Sequence, residues 1–126
     1  MQFEIGDFCS LSSGVKVWCT SDDFANDLVT IIPPEVEQVK THLIRGNITF
    51  EDYTAVGANS VIMPSNHIPV GTVIGALSFA STAFKFRPWS VYAGIPIRFI
   101  CPRNRESVME QVRRLEALLE GRGKRM

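Results

Sequence analysis

Aliphatic residues return at every sixth position through the middle of the chain. Ile44, Phe50, Val56, Ile62, Ile68 and Ile74 form one such series, and Ile5, Leu11 and Val17 form another near the N-terminus. A period of six fits neither the 3.6-residue turn of an α-helix nor a plain strand alternation held over several repeats. Written in sixes, residues 50–79 read FEDYTA, VGANSV, IMPSNH, IPVGTV and IGALSF, with Thr54, Ser60, Asn66, Thr72 and Ser78 at the fifth position. Hexapeptide repetition predicts a parallel β-helix, in which six residues supply one short strand and one corner. Three such faces close a triangular coil. The first-position aliphatics then stack in the interior, with small fifth-position residues in the tight space beside them. Each repeat buries its apolar face only against its neighbours.

The rhythm breaks twice. Between Val17 and Ile44 the stretch TSDDFANDLVTIIPPEVEQVKTH keeps no beat, begins acidic and carries Pro33 and Pro34. Insertions in solenoids project as loops and often build a binding face, so the β-helix is expected over residues 5–22 and 44–79, with residues 22–43 looped outward. After Phe79 the beat fades through ASTAFKFRPWS, and VYAGIPIRFI reads as a last extended segment. A C-terminal helix follows over about residues 105–121. Its signals are a capping box of Ser107 and Glu110, an apolar stripe of Val108, Val112, Leu115 and Leu119, and Gly121 as its stop. The expected organisation is one domain over residues 1–126, with the β-helix at about 4–100.

Composition narrows the function classes. The formal net charge is zero, which gives no global field towards nucleic acid or acidic lipid. The C-terminal segment is the basic end, and without interleaved aromatics it reads as a solvated helix face rather than a polyanion site. Cys9, Cys19 and Cys101 are odd in number and lack metal-ligand spacing, so they read as free thiols of a reducing compartment. No apolar run approaches the length of a membrane span, and the start MQFEIGDFCS has no positive region before an apolar stretch. A cytoplasmic protein without membrane or nucleic-acid partners is the expectation.

The hexads, the single protruding loop and the segment PWSVYAGIPIRFI together resemble the hexapeptide-repeat acyltransferases, whose fold is a left-handed parallel β-helix. SDDFANDL followed by IIPPEV is similar to the loop of the bacterial sugar O-acetyltransferases of galactoside, lipopolysaccharide and capsule type. The resemblance covers about residues 4–101. It implies a mainly β, left-handed β-helix with one loop and a C-terminal helix, a homotrimer, and acetyl-CoA as acyl donor in a groove between β-helices. It also implies a sugar or similar small hydroxyl acceptor. By the same resemblance Ala58 and Ala76 match corner positions that meet the pantetheine arm, Ser81 and Thr82 match the next contacts, and Arg98 matches a basic residue near the nucleotide phosphates. Gly57 and Gly75 let the backbone turn and a ligand approach; the same small residues also serve plain corners.

Acetyl transfer to a hydroxyl needs a group that removes its proton, and histidine suits that task near neutral pH. The chain has two candidates, His42 and His67. His42 lies where the loop rejoins the β-helix, as the catalytic histidine does in the resembled family, and is the expected base; His67 ends the hexad IMPSNH at an outward corner. Asp22 and Asp23 are expected to orient an imidazole or bind acceptor hydroxyls. The chain departs from the family's pattern in carrying Ile95 where Asn is frequent, Tyr53 where a histidine is frequent, and little structure before IGDFCS. A catalytically degenerate binding or structural β-helix is therefore the alternative. The zinc-dependent gamma-type carbonic anhydrases share the fold, but their His-rich spacing is missing here.

Overall fold

The computed structural model describes residues 2–22 and 43–125. The first coil comprises β1 (Phe3–Ile5), β2 (Ser10–Leu11) and β3 (Lys16–Val17), and a hairpin stem of β4 (Thr20–Asp22) and β5 (Leu43–Arg45) follows. The second coil is β6 (Ile48–Phe50), β7 (Ala55–Val56) and β8 (Val61–Ile62); the third is β9 (His67–Ile68), β10 (Val73–Ile74) and β11 (Phe79–Ala80). A terminal pair, β12 (Ser90–Ala93) and β13 (Arg98–Pro102), leads into helix α1 (Arg105–Arg125).

The strands stack into three parallel faces. The first face is β1, β6 and β9; the second is β2, β7 and β10, extended by β12 and β13; the third is β3, β8 and β11. Coils two and three pair residues 18 apart, as three hexads require: Thr49 faces His67, Ala55 faces Val73 and Val61 faces Phe79. The first coil holds the same registers across the insertion, with Phe3 facing Ile48, Ser10 facing Ala55 and Lys16 facing Val61. The insertion therefore leaves the coil geometry intact on both sides of it.

The interior is the expected aliphatic column. Phe50, Val56 and Ile62 point inward from the three faces of the second coil, with Ile68, Ile74 and Ala80 stacked on them from the third and Tyr92 above Ile74; all are buried, as is Ile48. Leu11 and Val17 are half-buried and Ile5 is exposed, because the first coil has a neighbour on one side only. The fifth-position residues do more than fit a narrow space. Thr54, Ser60, Asn66, Thr72 and Ser78 are all buried and all hydrogen-bonded. Asn66 donates from Nδ2 to Met63 O and Ser81 O at 2.9 Å each, and its Oδ1 accepts from Phe84 N at 3.0 Å. Ser60 Oγ donates to Gly75 O at 2.9 Å, which stitches one coil to the next. Among the described residues no buried side-chain polar atom lacks a partner, as a dry interior demands.

Each corner turns through a residue in the left-handed region, and these also recur every six positions: Phe8 and Gly14, then Tyr53, Asn59, Ser65, Gly71, Leu77, Ala83 and Trp89. Only two of the nine are glycine, so the others each carry strain on the order of 1 kcal/mol, offset by hydrogen bonds and burial between coils. Gly71 has a second reason to be glycine. A Cβ there would lie 2.3 Å from the Trp89 ring, which fills that corner and stacks on Tyr53, itself stacked on Phe8. Arg103 closes the same corner by donating from Nη1 to Tyr53 O and, at 3.0 Å, to Gly71 O. Its partial burial lowers the guanidinium pKa from the ordinary arginine value.

Four expectations need correction. Ile44 is not a rung of the β-helix; it lies in the stem, where β5 runs antiparallel to β4 and Ile44 faces Ser21. The coil resumes at Ile48. The segment VYAGIPIRFI is not one extended stretch but an antiparallel hairpin of β12 and β13. The cap of α1 is Asn104, whose Oδ1 accepts from Ser107 N at 3.0 Å. Glu110 makes no capping box; it pairs with Arg113 and Arg114, and Arg113 chiefly lowers its carboxyl pKa. Finally, α1 passes through Gly121 and ends at Arg125. Of the apolar stripe, Val112 is buried and Val108 half-buried, while Leu115 and Leu119 are exposed.

Ile62 is 0% exposed at the centre of the column. Ile62→Ala should cost about 2–5 kcal/mol, the range for a buried aliphatic whose neighbours cannot collapse into the void. A denaturation midpoint equal to that of the parent chain would show that the column is not the core.

Candidate functional site

The third face is bounded by two corners, and the residues matched to the acyl donor lie along both. At the corner between the second and third faces, Gly57 and Ala58 sit directly below Gly75 and Ala76. Gly57 N donates to Ile74 O at 2.7 Å, and Leu77 N donates to Ala58 O at 2.9 Å. The approach is so close that a Cβ on Gly57 would fall 2.3 Å from Ala76 N. One coil higher, Gly75 N donates to Tyr92 O at 2.8 Å, and Phe79 N to Gly94 O at 3.0 Å. Arg98 starts β13 opposite Ala93 and is exposed at the top of this ladder. Ala76 is exposed, and Leu77 and Ile95, 64% and 74% exposed, project from the same edge.

Ser81 and Thr82 occupy the opposite corner, between the third face and the first. Both side chains are exposed, while Ser81 O is tied to Asn66. The structure thus splits the matched residues between two edges of one face rather than gathering them in one cleft. Gly57, Ala58, Gly75, Ala76 and Arg98 share the first edge; Ser81 and Thr82 lie on the second.

Between the edges is a feature that the sequence reading missed. Trp18, Met63 and Phe79, with Thr20 and Ser21 of the hairpin stem, line a depression of about 460 Å³. Trp18 N donates to Ile62 O and Met63 N to Ala80 O, which places Trp18, Met63 and Ser81 in one rising row. The signal was present: Trp18 and Met63 hold the outward second position of VWCTSD and IMPSNH, where a solvated face calls for polar residues. The stem leaves the coil at the edge of this depression, because β4 supplies both Thr20 and Ser21 to its lining.

The loop residues themselves are reached only in part. Asp22 ends β4 and is the register partner of Leu43. Asp23 and His42 lie outside the described residues. His67 is described, and it sits elsewhere. It projects from β9 on the first face, paired through Nε2 with the Glu51 carboxylate, whose other oxygen accepts from Val70 N at 3.1 Å. The imidazole is exposed and already engaged, on a different face from the depression. Among the described residues no three His, Cys, Asp or Glu side chains converge as metal ligands. Cys9, Cys19 and Cys101 are unpaired, and Cys9 Sγ donates to Glu51 O at 3.1 Å.

No family model matches the sequence. A probable macrolide acetyltransferase of Lysinibacillus sphaericus is 28% identical over 124 residues, covering 89% of this chain and 66% of that protein. AntD, an N-acyltransferase from Bacillus cereus solved with dTDP and 3-hydroxybutyryl-CoA, superposes with a TM-score of 0.76 at 27% identity. That match covers 92% of this chain and 60% of AntD. The galactoside acetyltransferase structure with coenzyme A matches with a TM-score of 0.61 at 26% identity, over 82% of this chain and 46% of that one. This chain is related to the hexapeptide-repeat acyltransferases. Its architecture, three-sided coils of short parallel strands followed by a C-terminal helix, is the left-handed β-helix of such enzymes. The chain spans about three-fifths of AntD and 66% of the macrolide enzyme. No helix among its described residues is long and apolar enough to cross a membrane.

The contact at Gly57 gives a direct check on the ladder. Gly57→Ala should lower the melting temperature, since its Cβ meets backbone rather than a flexible side chain. Gly121→Ala, with nothing within 4 Å, should instead gain about 0.5–1 kcal/mol from helix propensity. Equal thermal midpoints for the two variants would refute the close approach of coils two and three.

Proposed function

We propose that this chain transfers a short acyl group from a CoA thioester to a hydroxyl group of a sugar or similar small polar acceptor. One observation carries the reading: small residues open both edges of a single face, on a fold whose relatives include enzymes solved with coenzyme A. An extended pantetheine arm needs close access to main chain, and Ala58 and Ala76 offer it one coil apart. Ser81 and Thr82 extend the contact surface, and Arg98 supplies a cation for the nucleotide phosphates. The working assembly is a closed homotrimer, in which a neighbouring β-helix forms the other wall of the groove.

His42 is the base in this reading, and Asp22 and Asp23 face the acceptor. The acceptor oxygen bonds to the thioester carbonyl carbon while its proton passes to the imidazole. The C–S bond then breaks, and CoA leaves as a thiolate that takes the proton back. Backbone N–H groups at the corners suit the oxyanion formed on the way. AntD has been solved with a serine and an aspartate ten positions apart each substituted. Ser12 with Asp22, and Ser13 with Asp23, repeat that spacing. The likeness to AntD, an N-acyltransferase, favours a second reading, in which the acceptor atom is a sugar amine. Thiol release from acetyl-CoA with matched sugars and amino sugars separates the two.

Ala76→Trp should abolish CoA binding in a calorimetric titration without unfolding the chain; unchanged affinity would place the groove elsewhere. His42→Ala should lower turnover about 10²–10⁴-fold, the usual contribution of a general base, with CoA affinity nearly unchanged. His67→Ala should leave turnover close to the parent value. The assignment of His42 fails if the two variants exchange these effects.

A further inference from the structure

We propose that the depression formed by Trp18, Met63 and Phe79 is an acyl-chain site that favours donors with about four to six carbons over acetyl. The inference rests on the CoA-dependent reading above and names what that reading leaves open.

Four observations lead there. The depression lies on the third face, between the edge bearing Ala58 and Ala76 and the edge bearing Ser81, so a donor lying along this face has it within reach. Among the described residues its lining is apolar apart from Thr20 and Ser21 at the foot of the stem, with no charged side chain. That chemistry selects an uncharged, hydrocarbon ligand over a phosphate, a metal ion or a sugar. Its size is the third point: at about 30 Å³ per water-sized group, 460 Å³ is far more than a carbonyl and one methyl fill. Trp18 is the fourth. It stands 49% exposed beside Met63 and Phe79, which are half-buried, and leaves a large apolar surface in water that a methylene chain would cover.

The stem agrees with this placement. The same stem strand that lines the depression ends in Asp22, so an acyl chain seated there holds its thioester close to that strand end. An acetyl donor would bind along the edges and leave the depression wet; each added methylene would displace water from it.

The test is a titration of the full chain with CoA, acetyl-CoA, butyryl-CoA and hexanoyl-CoA, without acceptor. Affinity should rise about three- to fourfold per methylene from acetyl to hexanoyl. Met63→Trp, which fills the depression, should flatten that series while CoA itself binds as before, and His67→Ala on the other face should leave the series unchanged. A flat series in the parent chain, with CoA and acetyl-CoA still binding, overturns the acyl-chain site and leaves the CoA reading standing. A gradient that survives Met63→Trp overturns it as well. Failure of CoA to bind at all removes the underlying reading and this inference with it.

Discussion

A strand of two residues cannot hold itself together. Most rungs here are that short, and each survives only because its N–H and C=O groups bond to the rung one coil above or below. The constraint is therefore an offset of eighteen residues, and everything else follows from keeping it. The aliphatic first position must land on the column, the left-handed corner must come at the fourth position, and the buried polar fifth position must find a carbonyl in the next coil. A single residue gained or lost within a hexad would turn every later side chain away from its face. The 27-residue interval that breaks the beat is tolerated because it leaves and re-enters through an antiparallel stem, so that Lys16 still meets Val61 and Phe3 still meets Ile48.

That offset also explains how far the sequence could be read. The column, the corners and the edge ladder of Gly57, Ala58, Gly75 and Ala76 were legible because they repeat in register, and register is what a one-dimensional pattern records. Ile44 fitted the count of six, yet spacing carries no information about strand direction, and the antiparallel stem claimed it. At the helix start, Asn104 and Ser107 are both competent caps; the earlier one prevailed because its carbonyl oxygen reaches Ser107 N. At the other end Gly121 costs a helix interior only about 1 kcal/mol, too little to stop it. The depression escaped notice for a different reason. Its walls come from Trp18, Met63 and Phe79, outward residues of three coils that only the folded register brings together.

The same register sorts the candidate chemistry. The sequence favoured His42 over His67 as the base; the fold places His67 on a polar face, held by Glu51, and Leu43, which follows His42 in sequence, in the stem beside the depression. A β-helix of this kind has little freedom to adjust a site by moving strands. Its versatility lies in the outward side chains and in what the inserted loop adds, so related chains can keep one scaffold and differ in donor and acceptor.

The terminal hairpin has a consequence for the molecule's behaviour in crowded solution. Parallel coils have no natural stopping point, since the last one always offers the edge that a further coil, from the same chain or another, would accept. Here β13 runs back against β12, and Pro102 removes one donor from its outer side. Reversed polarity ends the parallel stacking on the second face, so a further rung there could pair only antiparallel to β13 and out of the eighteen-residue register. The prism's repeat is in effect terminated at that end, and simple continuation of the coil by a second chain stacked in register on that face is interrupted.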